Sequence, residues 1–296
     1  MDVTVTPTPV GPMAAPPVSE RAQARRETLR VLVRRPAFII GNIVVYGWIL
    51  TAVLGERITP YDPFNDFFIG HAPPSPEHWM GTDRLGRDVL SRVMVGSRDV
   101  LIVAPLAAML GVIAGTLLGL VMGFYRGAID DVLSRIIEAF LALPVVLVAL
   151  LTLVVLGSSP LVVVFVVGTL FTPIVARTVR AAVLSERQLD YVTAARLRGE
   201  SGPFILSREI FPNVLGPTVV EMTVRFGYAI FTVATLSFLG VGLQPPSPDW
   251  GLTVSEEYTN MISGVWWPTL FPALAIASTV VAVNLIADTL QSVLSE

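Results

Sequence analysis

Six long apolar segments constrain this chain more than any other feature of its sequence. They cover residues 37–54, 100–124, 136–156, 161–179, 217–239 and 268–287. A helix of about 20 apolar residues matches the hydrocarbon thickness of a bilayer. Backbone polar groups in lipid must bond to one another, which favours helices for such segments. We therefore predict an all-α integral membrane protein with six transmembrane helices.

The composition supports this prediction and excludes several classes of function. Hydrophobic residues make up 53% of the chain and charged residues 15%, with a mean hydropathy of +0.69, whereas soluble domains have about 25% charged residues. All 20 basic residues are arginine, so a Walker A phosphate loop, which needs lysine, is absent. The chain has no cysteine and two histidines, His71 and His78, which argues against a zinc site. We expect no catalytic residue, metal or cofactor, and the net charge of −3 gives no reason to expect nucleic acid.

The placement of arginine predicts the orientation in the membrane. Six spans put both termini on one side. That side carries six arginines in the N-terminal tail, two after the second span and six after the fourth, fourteen in all, against five on the other side. Positively charged residues accumulate in cytoplasmic loops. Both termini and the loop after the fourth span are therefore expected in the cytoplasm.

The loop after the fourth span is polar and rich in arginine. Residues 191–198 are predicted to form a short helix that ends at Gly199, because glycine readily adopts the left-handed conformation after a helix. Pro203 suits the first turn of a second helix, and Pro212 is predicted to end that helix. A polar hairpin at the membrane surface is suited to contact with another protein. A solvated connector is the alternative interpretation.

Three motifs resemble those of permease subunits from bacterial ABC importers. The hairpin resembles their EAA loop, E-A-A-x-x-x-G followed by I-x-P, with Thr193 in place of the usual glutamate. Residues 81–88 (GTDRLGRD) and 238–246 (FLGVGLQPP) resemble the GTDxxGRD and FLGLGxQPP signatures of the C-type permeases of dipeptide, oligopeptide and nickel uptake. The resemblance covers about residues 34–290. The other matching loop positions are Ala194, Ala195, Gly199, Ile210 and Pro212.

This resemblance implies a permease subunit in the bacterial cytoplasmic membrane. Its expected partners are a second, homologous permease, two ATPase subunits that bind and hydrolyse ATP, and an external solute-binding protein. Tyr191 and the EAA-like positions would form the contact that couples the permease to the ATPases. The expected cargo is a di- or oligopeptide, with nickel or another small solute as the alternative. A secondary transporter with internal repeats and a membrane scaffold are the rival classes.

Four glycines in the second span, Gly111, Gly115, Gly119 and Gly123, recur at every fourth position. Such a ridge lets two helix backbones approach closely in lipid, where no hydrophobic effect drives helices together. We predict that this ridge is a helix-packing surface. The alternative is the general tolerance of membrane helices for glycine.

Charged and polar residues also occur inside two of the predicted spans. Glu221 and Arg225 lie one turn apart in the fifth span and can form an ion pair. The pair either lines a transport pathway or is a structural salt bridge. Asn284 and Asp288 are one turn apart near the end of the sixth span and resemble the family's N-L-x-x-D element. We expect Asp288 to anchor a neighbouring helix.

The chain divides into three parts. Residues 1–35 are predicted to be a disordered tail with a basic juxtamembrane segment. Residues 36–99 hold the first span and an external segment, and residues 100–296 form a five-helix core with the coupling loop at 180–215. The external segments either dock the binding protein or are merely solvated. Trp250, Trp266 and Trp267 are expected in an interfacial aromatic belt.

Overall fold

The structure, a computed structural model, describes residues 32–65 and 67–294. Within these residues all regular secondary structure is helical, apart from an isolated bridge between Thr82 and Asp88. Short 3₁₀ helices cover Gly55–Arg57 and Tyr258–Ser263. The N-terminal tail is predicted to be disordered over residues 1–35, and residues 1–31 lie outside the described residues. The main helices are α1 (Pro36–Leu54), α2 (Val89–Tyr125), α3 (Gly127–Leu141), α4 (Val145–Leu156), α5 (Pro160–Glu186), α6 (Asp190–Leu197), α7 (Gly202–Phe238), α8 (Trp250–Glu257) and α9 (Trp267–Leu294).

The all-α membrane architecture is confirmed. Among the described residues, α1, α2, α5, α7 and α9 are each long and apolar enough to cross a bilayer, and the bent pair α3–α4 brings the number to six if it counts as one span. Helices α2 and α7 are each 37 residues long. Since about 20 residues suffice to span the hydrocarbon core, both of these helices extend well beyond it.

The third predicted span is not a single helix, contrary to the prediction for residues 136–156. Helices α3 and α4 meet at an angle of 88°. The break falls at Leu143 and Pro144, because proline lacks an N–H donor and pushes the preceding residue out of helical geometry. Helix α4 has 12 residues and is therefore about 18 Å long, shorter than the hydrocarbon core of about 30 Å.

The prediction that Pro212 ends the second hairpin helix is also wrong. The chain stays helical from Gly202 to Phe238, and Pro212 lies in the first turn of the segment Phe211–Phe238. Directly before it, Ile205–Ile210 is a π-helix. Pro212 has no N–H to donate in the i→i−4 pattern of an α-helix. The wider π turn accommodates the missing bond, so the coupling loop and the fifth span form one continuous helical element.

The core of the bundle consists of α2, α5, α7 and α9. Small and β-branched side chains fill it, such as Ala107, Val167 and Val233, each 0% exposed. Helix α1 lies outside this core and packs against α9 and α2. Its Gly41 faces the backbone of α9, where a Cβ would lie 2.6 Å from the Ala282 carbonyl oxygen.

Residues 58–88 and 240–266 form a folded layer over one end of the bundle. The interfacial role expected for the tryptophans is wrong for two of the three. Trp250 is 0% exposed and donates its indole N–H to the Val93 carbonyl at 2.8 Å, and Trp267 donates to the Thr82 carbonyl at 3.0 Å. Both therefore fasten this layer to α2 and α9, while Trp266 remains 43% exposed.

Candidate coupling and pathway sites

The coupling hairpin begins with α6 and turns at Gly199. This glycine has a φ of +78°. Its N–H donates to the Arg196 carbonyl at 3.0 Å, and the N–H of Glu200 donates to the Ala195 carbonyl at 3.2 Å. This pair of bonds is a Schellman motif, which requires a left-handed residue at the Gly199 position. Helix α6 therefore ends at Leu197, one residue before the predicted end at residue 198.

The EAA-like positions separate into a buried and an exposed group. Ala195 and Ile210 are fully buried and hold the hairpin together, with Val192 beside them. The exposed group comprises Thr193, Ala194, Gly199 and Pro212. The exposed positions are the ones available to a partner protein.

Tyr191 ties the hairpin to the two long helices beside it. Its hydroxyl donates to Glu186 Oε2 at 2.6 Å at the end of α5, and it accepts from Asn213 Nδ2 of α7 at 3.1 Å. Burial and the bond to Glu186 raise the pKa of Tyr191 to about 12. The phenol therefore stays protonated and keeps donating at any physiological pH.

The motif comparison missed the most exposed apolar side chain of the hairpin. Leu197, at the end of α6, is 84% exposed. Leu189 and Phe204 are also about half exposed on the same segment. These three side chains could have been identified from the sequence, because they are apolar residues in an otherwise polar loop. Isolated exposed leucines are common, but three on one short hairpin provide an apolar contact surface.

The glycine ridge of α2 lies against α5, which identifies the helix it faces. A Cβ built at Gly111 would lie 2.7 Å from the Gly168 carbonyl oxygen, and one at Gly119 would lie 2.7 Å from that of Ala176. Gly115 and Gly123 face the carbonyl oxygens of Thr172 and Arg180 at 2.8 and 3.0 Å in the same way. Every fourth residue of α2 thus meets every fourth residue of α5. No larger residue fits these positions without separating the helices.

The ridge and the hairpin belong to one packed unit. Val192, Ala195 and Ile210 lie in the same buried cluster as Val179 and Val183 of α5 and Phe124 of α2. The Arg196 guanidinium also lies 5.7 Å from the centre of the Phe124 ring. The hairpin therefore packs directly against the ends of α2 and α5.

An ion pair fastens α3 to the same end of α5. The Arg180 guanidinium donates two hydrogen bonds to the Asp130 carboxylate, at 2.6 and 2.7 Å. Bidentate pairs of this kind hold their partners in a defined geometry. Neither residue was singled out from the sequence, because 50 positions separate them.

The GTDRLGRD segment forms a buried network of charges in the outer layer. Asp83 accepts from Arg87 Nε at 2.6 Å and lies 3.6 Å from Arg92 Nε. Asp88 caps α2 through the N–H of Ser91 at 2.8 Å. Glu257 of α8 accepts from the N–H of Arg84 at 3.0 Å. The motif therefore positions the start of α2 and joins it to the segment that follows the FLGVGLQPP motif.

Glu221 and Arg225 form the ion pair that their spacing predicts. Arg225 Nε donates to Glu221 Oε2 at 2.9 Å, and the guanidinium lies 5.1 Å from the centre of the Tyr228 ring. Both side chains are largely buried, with exposed fractions of 15% and 12% for Glu221 and Arg225. The geometry is compatible with both roles proposed from the sequence.

Glu221→Gln alone is expected to destabilise the assembled protein, because it leaves the Arg225 charge uncompensated inside the bilayer. The loss in the free energy of unfolding is at most about 2.5–3.5 kcal/mol, the cost of inserting one charge at the centre of a membrane helix. The double change Glu221→Gln with Arg225→Gln should recover more than half of this loss. Thermal unfolding of these two variants and of the unchanged protein measures the loss, and equal losses for the single and double variants would contradict a structural pair.

The same double variant tests the pathway interpretation. If the pair lines the route of cargo, the assembled double variant changes its relative uptake of charged and neutral peptides. Unchanged preference in an assembled double variant removes that interpretation.

Comparison with known proteins decides the family. Residues 115–296 match the profile described as "Binding-protein-dependent transport system inner membrane component". The chain belongs to this family. The match covers α3 to α9, with the hairpin, and the last part of α2 with three of the four ridge glycines.

Relatives extend the similarity over nearly the whole chain. A Brucella suis protein named "Putative peptide transport system permease protein" is 39% identical over 268 residues, 90% of each chain. Proteins named glutathione transport system permease protein GsiD are 36% identical over 271 residues in Pectobacterium atrosepticum (91% of this chain, 90% of the relative) and 41% over 248 in Escherichia coli (83% and 82%). The resemblance to C-type permeases drawn from the motifs is therefore confirmed.

Proposed function

We propose that this chain is one permease subunit of an ATP-driven importer of di- or oligopeptides. The observation that carries the proposal is the hairpin Asp190–Ile210, which joins an exposed apolar contact surface to the packed ends of α2 and α5. Such an element can receive a movement outside the membrane and pass it to the transmembrane helices. The peptide cargo is inferred from relatives whose names refer to peptides and to glutathione, itself a tripeptide.

The positions of the start of α1, the end of α9 and the hairpin support the predicted orientation. Arg35, at the start of α1, donates to the Ser292 hydroxyl near the end of α9 at 2.6 Å. At the opposite end of α1, Thr51 bonds Ser97 of α2 at 3.0 Å. Helix α2 then runs back to Phe124, beside the hairpin. The start of α1, the end of α9 and the hairpin thus share one end of the bundle, the arginine-rich end, and we assign it to the cytoplasm.

In this proposal the chain does no covalent chemistry. ATP is bound and hydrolysed by two partner subunits under the hairpin, a second permease completes the pathway, and a solute-binding protein delivers the peptide to the opposite face. Nickel is less well supported as cargo, because His71 and His78 are hydrogen-bonded to the carboxylates of Glu257 and Asp88 at 3.1 and 2.9 Å.

Purification with an affinity tag on this chain tests the proposal. We expect an ATPase, a second permease and, in the presence of peptide, a solute-binding protein to be retained, and dipeptide to stimulate ATP hydrolysis by the purified complex. Reconstitution in vesicles should then give ATP-dependent dipeptide uptake. A chain that purifies without an ATPase, or uptake driven by an ion gradient without ATP, would contradict the proposal and favour a scaffold or a secondary transporter.

Gly199→Val is expected to weaken coupling without removing the protein from the membrane. A side chain at a φ of +78° costs about 1–2 kcal/mol, which corresponds to roughly tenfold weaker retention of the ATPase. Apart from its two chain neighbours, no described residue has an atom within 4 Å of a Cβ at this position, so backbone strain and not collision causes the effect. Gly199→Asn is the matched control, because asparagine tolerates the left-handed region. ATPase retention and dipeptide-stimulated hydrolysis are the readouts, and normal values for the valine variant would remove the coupling role.

A further inference from the structure

An open cavity of about 350 Å³ lies between α7 and α9. On the α7 side it is lined by Val224, Gly227, Tyr228 and Phe231, at the middle of that helix's apolar segment. On the α9 side its polar lining consists of Asn284 and Asp288. Both of these helices are of membrane-spanning length.

The polar groups of this cavity are exposed and unengaged. The side chains of Asn284 and Asp288 have no hydrogen bond or ion pair with any other described residue. The helix anchor expected of Asp288 is therefore not formed within this part of the chain. Asp288 lies near the end of the sixth span, and its exposed carboxylate can accept hydrogen bonds from water, protein or a ligand.

The charge balance of the cavity favours a cation. Among the described lining residues the charged one is Asp288. Arg225, which lies 5.1 Å from the centre of the ring of the lining residue Tyr228, is paired with Glu221 at 2.9 Å. Carboxylate and amide oxygens accept hydrogen bonds, and the tyrosine hydroxyl can also accept. The wall thus offers several acceptors and one carboxylate that forms no salt bridge with a described residue, a set that complements a group with several N–H donors.

Space at this wall depends on Gly227. A Cβ at this position would lie 2.7 Å from Asn284 Oδ1. The absence of a side chain therefore lets the amide of Asn284 sit directly beside the backbone of α7. Any larger residue would displace that amide.

We propose that this cavity binds the ammonium group of a peptide, its amino terminus or a basic side chain, with Asp288 and Asn284 as the ligating residues. The identity of the cargo rests on the proposed function; the preference for a cation does not. A volume of about 350 Å³ holds the end of a peptide but not a folded domain, which agrees with a transient contact along the route.

The chain's lack of cysteine makes a direct test possible. Val224→Cys places one thiol in the cavity lining, and modification of this chain in the purified complex reports on that position alone. We expect the ratio of the rates for a cationic and an anionic methanethiosulfonate reagent to be about tenfold larger than the ratio for a free thiol, as one nearby charge in a partly solvated site predicts. Adding Asp288→Asn should remove most of this preference. Asp190→Asn, which removes an acid on the hairpin, should leave it unchanged.

Protection identifies the ligand. Diglycine amide, a cation, should slow the modification of Val224→Cys several-fold, and Asp288→Asn should abolish the protection. N-acetyl-diglycine amide, its neutral counterpart, and sodium ions should not protect. Failure of modification in the assembled complex, a rate ratio no larger than that of a free thiol, or equal protection by the neutral peptide would each overturn the proposal. Because labelling needs neither ATP nor transport, these outcomes are separate from a failure of peptide uptake.

Discussion

Gly119→Leu is expected to prevent α2 from packing on α5. A Cβ at this position would lie 2.7 Å from the Ala176 carbonyl oxygen, 2.8 Å from Val179 Cβ and 2.9 Å from the Arg180 nitrogen. None of these atoms can rotate away, so the helices must separate along the ridge. Overpacking in a well-packed core costs about 1–3 kcal/mol, and a collision with backbone should reach or exceed the upper end. Thermal unfolding and the yield of assembled complex are the measurements.

Gly47→Leu is the matched control for this prediction. Gly47 also lies inside a transmembrane helix, α1, but no atom lies within 4 Å of a Cβ there. The same substitution should therefore change the unfolding temperature little. Equal effects of the two substitutions would show that the close contact between α2 and α5 is not important for stability.

Asp83→Asn is expected to destabilise the outer layer by about 3–5 kcal/mol, the cost of leaving a buried charge without its partner. Asp83 is 1% exposed and stands between Arg87 and Arg92, and the Arg92 side chain is 2% exposed. Loss of the carboxylate leaves the Arg92 guanidinium without a salt bridge to any other described residue, whereas Arg87 keeps Glu256 at 3.4 Å. Thermal unfolding of the purified protein measures the loss.

Two further variants test the cause of this effect. Adding Arg92→Met to Asp83→Asn removes the charge that has lost its partner at similar volume, so it should recover a large part of the stability. Glu77→Gln neutralises an exposed acid of the same layer and should change stability by less than about 0.5 kcal/mol. A double variant no more stable than Asp83→Asn would contradict an electrostatic origin.

Sequence reasoning succeeded where a local rule acts alone. Apolar length located α1, α5 and α9, and the four-residue glycine spacing indicated a close helix contact. Gly199 was recognised because its conformation excludes most side chains. The sequence did not identify α5 as the helix opposite the ridge, since helices in lipid carry no pattern that specifies their partner.

The errors arose where two local rules competed. Pro144 broke a segment whose apolar composition indicated one span, because the loss of a helical bond outweighed hydropathy. Pro212 did not end its helix, because the π-helix Ile205–Ile210 removed the need for the missing bond. Trp250 lies buried under α2 and not at the interface, since the Val93 carbonyl satisfies its indole N–H. Contacts of this kind, 157 residues apart, depend on tertiary structure.

The central claim is that the hairpin contacts the ATPase. Leu197→Cys introduces the chain's single thiol at a position 84% exposed on the hairpin, and Ile262→Cys places one at a position 94% exposed on the opposite layer. In the assembled complex, a short heterobifunctional cross-linker with thiol and amine chemistry should join position 197, but not position 262, to the ATPase subunit. Cross-linking of the ATPase to position 262, or none at position 197 in a complex that retains the ATPase, would contradict the account.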